Sequence, residues 1–164
     1  EDHVDFENVC LVGIQARGVL LADRIYAHLT ENLGIDNFPY GKLDISFYRD
    51  DFRTRKKPLT VNENEMDFLV EKKKVILVDD VLYSGRTVQA ALTALNHYGR
   101  PDTVELLVLV DRRFHREIPV SPDYCGITVD ALENEYVKVF WEHINGEDEI
   151  LLFPANEDGS TPQF

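Results

Sequence analysis

The sequence predicts an α/β fold in which a doubly wound, mostly parallel sheet carries helices on both faces. Three short segments, 9–12, 75–78 and 104–110, are continuously apolar and rich in β-branched residues, which is typical of strands buried on both sides. Helical patterns separate these segments, and such an alternation favours right-handed crossovers between parallel strands. Ligands of such sheets bind at the carboxyl ends of the strands, where we therefore expect the functional residues.

Two segments have the apolar spacing of amphipathic helices. The first follows strand 9–12 and ends at Gly34, and its apolar residues recur at intervals of three and four: Ala22, Ile25, Tyr26, Leu29 and Leu33. The second runs over 87–98, with Thr87 as the predicted amino-terminal cap and Gly99 as the predicted stop. Both helices fall between predicted strands, so we expect them to cover the sheet.

The carboxyl-terminal part predicts a β-hairpin that borders the sheet. Residues 137–144 and 149–153 flank Asn145-Gly146, a dipeptide that readily adopts the positive φ angles of a tight turn. The tail over 154–164 is polar and contains glycine and proline, so we expect it to fray.

Composition and charge narrow the class of protein. The 164 residues, 44% of them hydrophobic, have the usual size of one domain, which we expect to span 1–164. The sequence has neither a long apolar run nor a signal-peptide pattern, so we expect a cytoplasmic protein without a membrane partner. The formal charge of -13 disfavours a dominant nucleic-acid surface, although local basic patches stay open. Cys10 and Cys125 lack metal-ligand spacing and are expected to be free.

The segment 75–87 combines a buried strand, two acids, a small polar turn and the start of a helix. The turn over 84–87 suits a monophosphate, because a helix amino terminus offers unpaired N–H groups and the positive end of the dipole. Asp79 and Asp80 can accept hydrogen bonds from sugar hydroxyls or bind Mg²⁺. The segment therefore suits a ribose beside a phosphate, whereas it lacks the Gly-Lys-Ser/Thr of a Walker A loop and the three glycines of a dinucleotide fingerprint.

Two further segments carry charge at predicted strand ends. Residues 13–18 place Arg17 between two glycines, where its planar guanidinium can meet a pyrophosphate, although such turns are common in other proteins. Residues 48–58 follow a predicted strand over 43–47 and contain five basic and two acidic residues. This positive segment fits either a loop that closes over a polyanion or an ordinary solvated loop.

The segment 75–87 closely resembles the signature with which type I phosphoribosyltransferases bind phosphoribosyl pyrophosphate (PRPP). The resemblance implies that Asp79 and Asp80 meet the ribose hydroxyls and the Mg²⁺ ion, and that the following loop cradles the 5′-phosphate: Val81, Leu82, Tyr83, Ser84, Gly85, Arg86 and Thr87. The segment 13–18 resembles the pyrophosphate loop of that family, which implies that Ala16 and Arg17 face the pyrophosphate. The basic segment resembles the loop that closes over PRPP, with Arg49 near the leaving group.

Five short motifs in order resemble the PyrR family of pyrimidine-operon attenuators, which are also uracil phosphoribosyltransferases: Tyr-Arg-Asp-Asp at 48–51, Val-Asp-Asp-Val-Leu-Tyr-Ser-Gly-Arg-Thr at 78–87, Val-Asp-Arg at 110–112, Arg-Glu-Ile-Pro at 116–119 and Asp-Tyr-Cys-Gly at 123–126. The resemblance implies a glycosyltransferase that makes UMP from uracil and PRPP. It also implies a uracil site lined by Val110, Asp111 and Arg112, and a homodimer or a dimer of dimers.

Three alternatives stay open beside the uracil enzyme. A purine phosphoribosyltransferase would share the PRPP loops, and an RNA-binding attenuator would sense nucleotides with little catalysis. An idle α/β module would bind PRPP without consuming it. RNA binding is disfavoured by the net charge and by the stretch over 130–164, which holds nine acidic residues and only Lys138 as a basic one. His115 is expected to be a surface residue rather than a general base, because transfer from PRPP depends on leaving-group stabilisation.

Overall fold

The computed structural model describes residues 6–35, 38–48, 64–132 and 134–157. Its central sheet has five strands in the order β2-β1-β3-β4-β5, and all neighbours are parallel. The strands are β1 (Val9–Ile14), β2 (Tyr40–Leu43), β3 (Lys74–Leu82), β4 (Thr103–Arg113) and β5 (Tyr124–Asp130). The strand order reverses between β1 and β3, which opens a crevice at their carboxyl ends. The predicted α/β fold class is therefore confirmed.

Helices cover both faces of the sheet. A 3₁₀ turn (Phe6–Asn8) precedes β1, α1 (Arg17–Ala27) continues into a π-helical turn (His28–Asn32), and α2 (Arg86–Leu95) continues into a 3₁₀ turn (Asn96–Tyr98). Ile76 packs in one cluster with Ala22 of α1, and Leu77 packs in another with Ala91 of α2. Neighbouring strand residues point to opposite faces, so the two helices lie on opposite sides. Within the described ranges, no helix is long and apolar enough to cross a membrane.

Several boundaries differ from those predicted. Leu33, predicted on the apolar face of the first helix, is 59% exposed. The strand predicted over 43–47 is wrong, because β2 ends at Leu43. The Asp44 side chain then accepts hydrogen bonds from the amide and the hydroxyl of Ser46, at 2.8 and 2.5 Å, and so closes a local turn. β5 was not among the predicted strands; it is an edge strand whose residues are mostly exposed, so it lacks the apolar run of the others.

The carboxyl-terminal hairpin is confirmed, but its predicted tight turn is wrong. β6 (Tyr136–Phe140) pairs antiparallel with β7 (Glu149–Phe153), and a short helix α3 (Glu142–Asn145) connects them. The Asn145 side chain accepts a hydrogen bond from the Trp141 amide at 2.9 Å, and Gly146 ends the helix with φ of 93°. Asn145 therefore closes a helical turn instead of a two-residue hairpin. Residues 154–157 follow without helix or strand, and the rest of the predicted frayed tail lies outside the described residues.

The hairpin packs beside the carboxyl ends of β3 and β4. Buried Val137, Val139 and Trp141 form a cluster with Val110, and Leu20, Leu21 and Val81 pack against it. Both cysteines are free, as predicted. Burial raises the pKa of the Cys10 thiol to about 12, so this thiol serves as a core residue, whereas Cys125 is exposed.

Candidate active site

Two consecutive acidic residues lie near the carboxyl end of β3. Asp79 and Asp80 are 7% and 5% exposed. The Asp80 amide donates to Asp79 Oδ1, and the Val81 amide donates to Asp80 Oδ1, both at 2.9 Å. Burial of a charged group is costly unless hydrogen bonds compensate for lost water, so these backbone donors help to keep the acids at this position.

Arg17, the first residue of α1, joins these acids to the hairpin. Its Nε donates to Asp80 Oδ2 at 2.6 Å, and its Nη2 donates to the Val139 carbonyl at 2.7 Å. Gly18 permits this approach, since a Cβ atom there would lie 2.4 Å from the Val78 carbonyl oxygen. The preceding Gln15–Ala16 peptide bond is cis. The amino end of α1 therefore brings a cation directly against the acidic pair.

The β3–α2 turn holds the amino end of α2 at the same edge. Gly85 caps the helix with φ of 90°, so the prediction of Thr87 as the cap is wrong. The Ser84 carbonyl accepts hydrogen bonds from the amides of Glu117 and Ile118, both at 2.9 Å. Arg86 forms an ion pair with Glu117. Residues 117 and 118, which follow β4, are therefore bonded to the turn and lie beside the amino terminus of α2.

The end of β4 is linked to this turn by two arginines. Arg116 donates to the Tyr83 carbonyl and to the Asp111 carboxylate. Arg112 is 4% exposed, its guanidinium carbon lies 3.8 Å from the centroid of the Tyr83 ring, and its Nη2 donates to the Leu132 carbonyl at 3.0 Å. The side chains of Asp111 and Arg112 are therefore engaged by protein groups.

Strand register explains why distant segments meet. Gly13 of β1 pairs with Val78 of β3, and Val81 and Leu82 pair with Val110 and Asp111 of β4. The structure thus brings together at one sheet edge the predicted residues of three segments: Ala16 and Arg17; Asp79, Asp80 and the turn over 81–87; and Val110, Asp111 and Arg112.

Of the predicted basic loop over 48–58, the structure describes only Tyr48. Arg49 and the other predicted cations of this loop lie outside the described residues. On either side, the backbones of Lys42 and Glu65 exchange two hydrogen bonds, at 2.9 and 3.0 Å. The Asp44 amide also donates to Asn64 Oδ1 at 2.6 Å. Residues 42–44 and 64–65, on either side of positions 49–63, are therefore joined beside β2.

Sequence reasoning missed several groups that support the site. Arg116 was recognised only as part of a family motif, and its hydrogen bonds to Tyr83 and Asp111 were not foreseen. The Val139 carbonyl was missed because its contact with Arg17 spans 122 positions. A second long-range link joins α1 to the hairpin, where the Arg24 guanidinium lowers the pKa of Asp148 to about 2 by hydrogen bonding.

Comparison with known proteins gives one consistent result. The phosphoribosyl transferase domain family matches residues 1–142. The Bifunctional protein PyrR of Caldicellulosiruptor bescii is 44% identical over 152 residues, which cover 93% of this chain and 82% of that protein. The Bifunctional protein PyrR of Deinococcus radiodurans is 44% identical over 151 residues, or 92% of this chain and 81% of that protein.

Solved structures share the fold at lower identity. A hypoxanthine-guanine phosphoribosyltransferase from Bacillus anthracis gives a TM-score of 0.59 at 17% identity, over 84% of this chain and 73% of that one. A hypoxanthine phosphoribosyltransferase from Staphylococcus aureus gives 0.57 at 17% identity, over 77% of this chain and 65% of that one, so the match spans just under two thirds of its length. These likenesses concern the fold alone. The acidic residues of β3 and the turn at the amino end of α2 agree with the sequence relatives and the matched domain family. This chain belongs to the PyrR family of type I phosphoribosyltransferases.

Proposed function

We propose that this protein transfers the phosphoribosyl group of PRPP to uracil and releases UMP and pyrophosphate. One observation supports the proposal: the acidic pair of β3, the amino end of α2 and the carboxyl end of β4 meet where the parallel strands end. In the reaction a bond forms between a uracil nitrogen and the anomeric carbon, the bond from that carbon to the pyrophosphate oxygen breaks, and the proton of that nitrogen is released to water. The identity of the base rests on the likeness to the PyrR relatives.

The acidic pair fits a ribose and a magnesium ion. Asp79 and Asp80 supply hard oxygen atoms, and Mg²⁺ characteristically takes one or two carboxylates together with substrate phosphates and water. The described part of the chain has no group of three His, Cys, Asp or Glu side chains that could hold a metal alone, which fits a site completed by the substrate. Bound there, Mg²⁺ would neutralise charge on the departing pyrophosphate.

The turn over 82–87 would hold the 5′-phosphate. The amino end of α2 offers backbone N–H groups and a positive dipole end to an anion. The Ser84 carbonyl is held by amides on the outer side, so it is kept from pointing at the phosphate. The proposal therefore assigns phosphate binding mainly to backbone groups and hydroxyls of this turn.

The base would bind at the carboxyl end of β4. Uracil is neutral and presents amide-like edges. The segment 110–112, which the resemblance assigns to the base, ends β4 beside the acidic residues of β3. Arg116 engages the Asp111 side chain and Tyr83 engages the Arg112 side chain, so both side chains are held in place at this strand end. The buried hairpin residues Val137 and Val139 supply an apolar wall next to Val110.

Catalysis would depend on charge placement rather than on a proton donor. The transition state has oxocarbenium character at the anomeric carbon, so the largest contributions are positioning of the base and stabilisation of the leaving group. Arg17 already lies beside Asp80, where it can meet the pyrophosphate. Arg49 is proposed as a second cation there.

The direct test is pyrophosphate release from PRPP and Mg²⁺ with uracil, guanine, hypoxanthine or orotate in parallel. We expect release with uracil and little with the other bases. Release with hypoxanthine or guanine instead would replace the uracil enzyme by a purine enzyme. Binding of PRPP without release with any base would identify a binding module.

RNA regulation is a second candidate, favoured by the name Bifunctional protein PyrR of the relatives. The net charge of -13 opposes it. Gel shifts with pyrimidine-operon leader RNA over a salt series, with and without UMP, would test it, and a salt-independent or absent shift would reject it.

We also propose that residues 1–164 form one domain and that the protein is a homodimer or a dimer of dimers. Light scattering can measure the oligomeric state.

A further inference from the structure

Two adjacent arginines at the end of β4 each lie near an aromatic ring, but in different surroundings. The Arg112 guanidinium lies 3.8 Å from the Tyr83 ring centroid, and Arg112 is 4% exposed. The Arg113 guanidinium lies 6.0 Å from the Phe114 ring centroid and pairs with Asp130, with its side chain 54% exposed. Since strand residues alternate between faces, one arginine is buried at the site and its neighbour faces solvent.

A buried arginine is costly unless its charge is compensated. The groups that compensate Arg112 include the face of the Tyr83 ring and the Leu132 carbonyl, which accepts its hydrogen bond at 3.0 Å. A planar guanidinium can stack on a ring and donate hydrogen bonds within its plane at the same time, which an ammonium group cannot do. Arg112 therefore connects the phosphate turn with the segment that leads into β6.

Tyr83 is held at both its ring and its backbone. Arg112 contacts the ring, and Arg116 donates a hydrogen bond to the carbonyl. The next residues, Ser84 and Gly85, form the amino-terminal cap region of α2. The position of the N–H groups that would face the phosphate consequently depends on how the end of β4 holds Tyr83.

We infer that Arg112 is a positioning residue for the 5′-phosphate turn, acting through the Tyr83 ring, while its side chain does not contact the base. This inference rests on the proposed function in so far as PRPP is the ligand of the turn. It assigns the Arg112 guanidinium to the shape of the phosphate site, although the resemblance placed residue 112 in the uracil site.

Arg112→Lys tests the inference, because lysine keeps the charge and loses the planar contact. We expect KM for PRPP to rise about tenfold, the size expected for losing part of a buried cation–π contact, and to change more than kcat or KM for uracil. Tyr83→Leu should produce the same pattern, and Tyr83→Phe, which keeps the ring, should bind PRPP better than Tyr83→Leu. The double variant should be no worse than either single one, because both remove the same contact.

The exposed pair supplies matched controls. Arg113→Lys and Phe114→Leu make the same kinds of chemical change outside the buried contact and should leave KM for PRPP at the wild-type value. A rise in KM for uracil in Arg112→Lys without a change for PRPP would overturn the inference in favour of a base contact. Thermal unfolding of each variant shows whether it folds, and Tyr83→Leu decides the matter if Arg112→Lys does not fold.

Calorimetric binding of PRPP without a base separates this inference from the proposed function. If the wild-type protein binds PRPP but transfers no base, the proposed function fails, and weaker PRPP binding by Arg112→Lys and Tyr83→Leu still supports the positioning role. If both variants bind PRPP as tightly as the wild type, the inference fails while the function can stand. A wild-type protein that neither binds nor uses PRPP would overturn both.

Discussion

The β1–α1 turn and the β3–α2 turn occupy equivalent places in the fold but use glycine for different reasons. In the first, the backbone of β3 leaves no room for a side chain at Gly18, since a Cβ atom there would lie 2.4 Å from the Val78 oxygen. In the second, Gly85 is needed because its φ of 90° is left-handed. Close packing alone requires glycine in the first turn, whereas the second turn also requires a left-handed backbone conformation.

The difference extends to charge. The first turn carries Arg17, whose guanidinium is already paired with Asp80. The second turn presents the amino end of α2 and is held from outside through the Ser84 carbonyl. A single arginine and a set of backbone amides are two ways to attract phosphate groups, and the proposed function divides them between the pyrophosphate and the 5′-phosphate.

The largest effect is expected where the first turn meets the acids. Asp80→Asn removes the charge that pairs with Arg17, and kcat/KM for PRPP should fall about ten- to a hundredfold, as for loss of hydrogen bonds to a charged group. Steady-state kinetics with PRPP and uracil measure it. Asp130→Asn, which removes an exposed partner of Arg113, is the control. Wild-type kinetics for Asp80→Asn would remove this acid from the site.

Gly18→Ala tests the close packing of the first turn. The added methyl group meets backbone atoms of β3, which cannot move aside cheaply, so the free energy of unfolding should fall by about 1–3 kcal/mol. Gly34→Ala is the control, because Gly34 has φ of 65° and no atom within 4 Å of an added Cβ. Its cost should be only about 1 kcal/mol, from backbone conformation alone. Equal losses in urea unfolding would contradict the packing explanation.

Gly85 should respond to conformation instead. Asparagine adopts left-handed backbone angles more readily than alanine, so Gly85→Asn should lose less stability than Gly85→Ala, by up to about 1 kcal/mol. An added Cβ would also meet Val120 Cγ1 at 2.8 Å, Ile118 Cβ at 3.0 Å and the Ile118 carbonyl oxygen at 3.2 Å, which crowds both variants alike. Thermal unfolding and KM for PRPP measure both variants. If asparagine were no better than alanine, crowding and not φ would explain this glycine.

The smallest effect concerns the pair that ties α1 to the hairpin. The hydrogen bonds from Arg24 lower the pKa of Asp148 to about 2, so its stabilising contribution is present above its ordinary pKa and is lost as the pH falls through about 2. Asp148→Asn should therefore lower Tm slightly at neutral pH, and the difference from wild type should shrink below about pH 3. A difference that stays constant with pH would show that charge is not its cause.

The parts of the site that were predictable from sequence are contiguous. Segment 75–87 contains a strand, its acids, a turn and a helix start in one stretch, so local patterns suffice to place them. The predicted boundaries were wrong where single side chains form local hydrogen bonds that end a strand or close a turn. Asp44 does so after β2, and Asn145 does so before Gly146. Apolar periodicity does not register such bonds.

The contacts that organise the site are long-range and could not be predicted from one sequence. Arg17 reaches Val139 across 122 positions, and Arg116 reaches Tyr83 across 33. An arginine in a charged motif is compatible with a solvent-facing or a buried role, and only the fold decides between them. Arg112 and Arg113 illustrate this, since adjacent positions of the same type have opposite surroundings.

The hydrogen bonds between residues 42–44 and 64–65 also affect how the sequence of this protein can change over evolution. The hydrogen bonds between Lys42 and Glu65 and from Asp44 to Asn64 join the residues on either side of positions 49–63, next to the edge strand β2. The cost of closing a loop rises only slowly with its length. Insertions, deletions or whole replacements between 49 and 63 should therefore leave the register of the sheet intact, so that this stretch of sequence can diverge, or be exchanged by design, independently of the sheet.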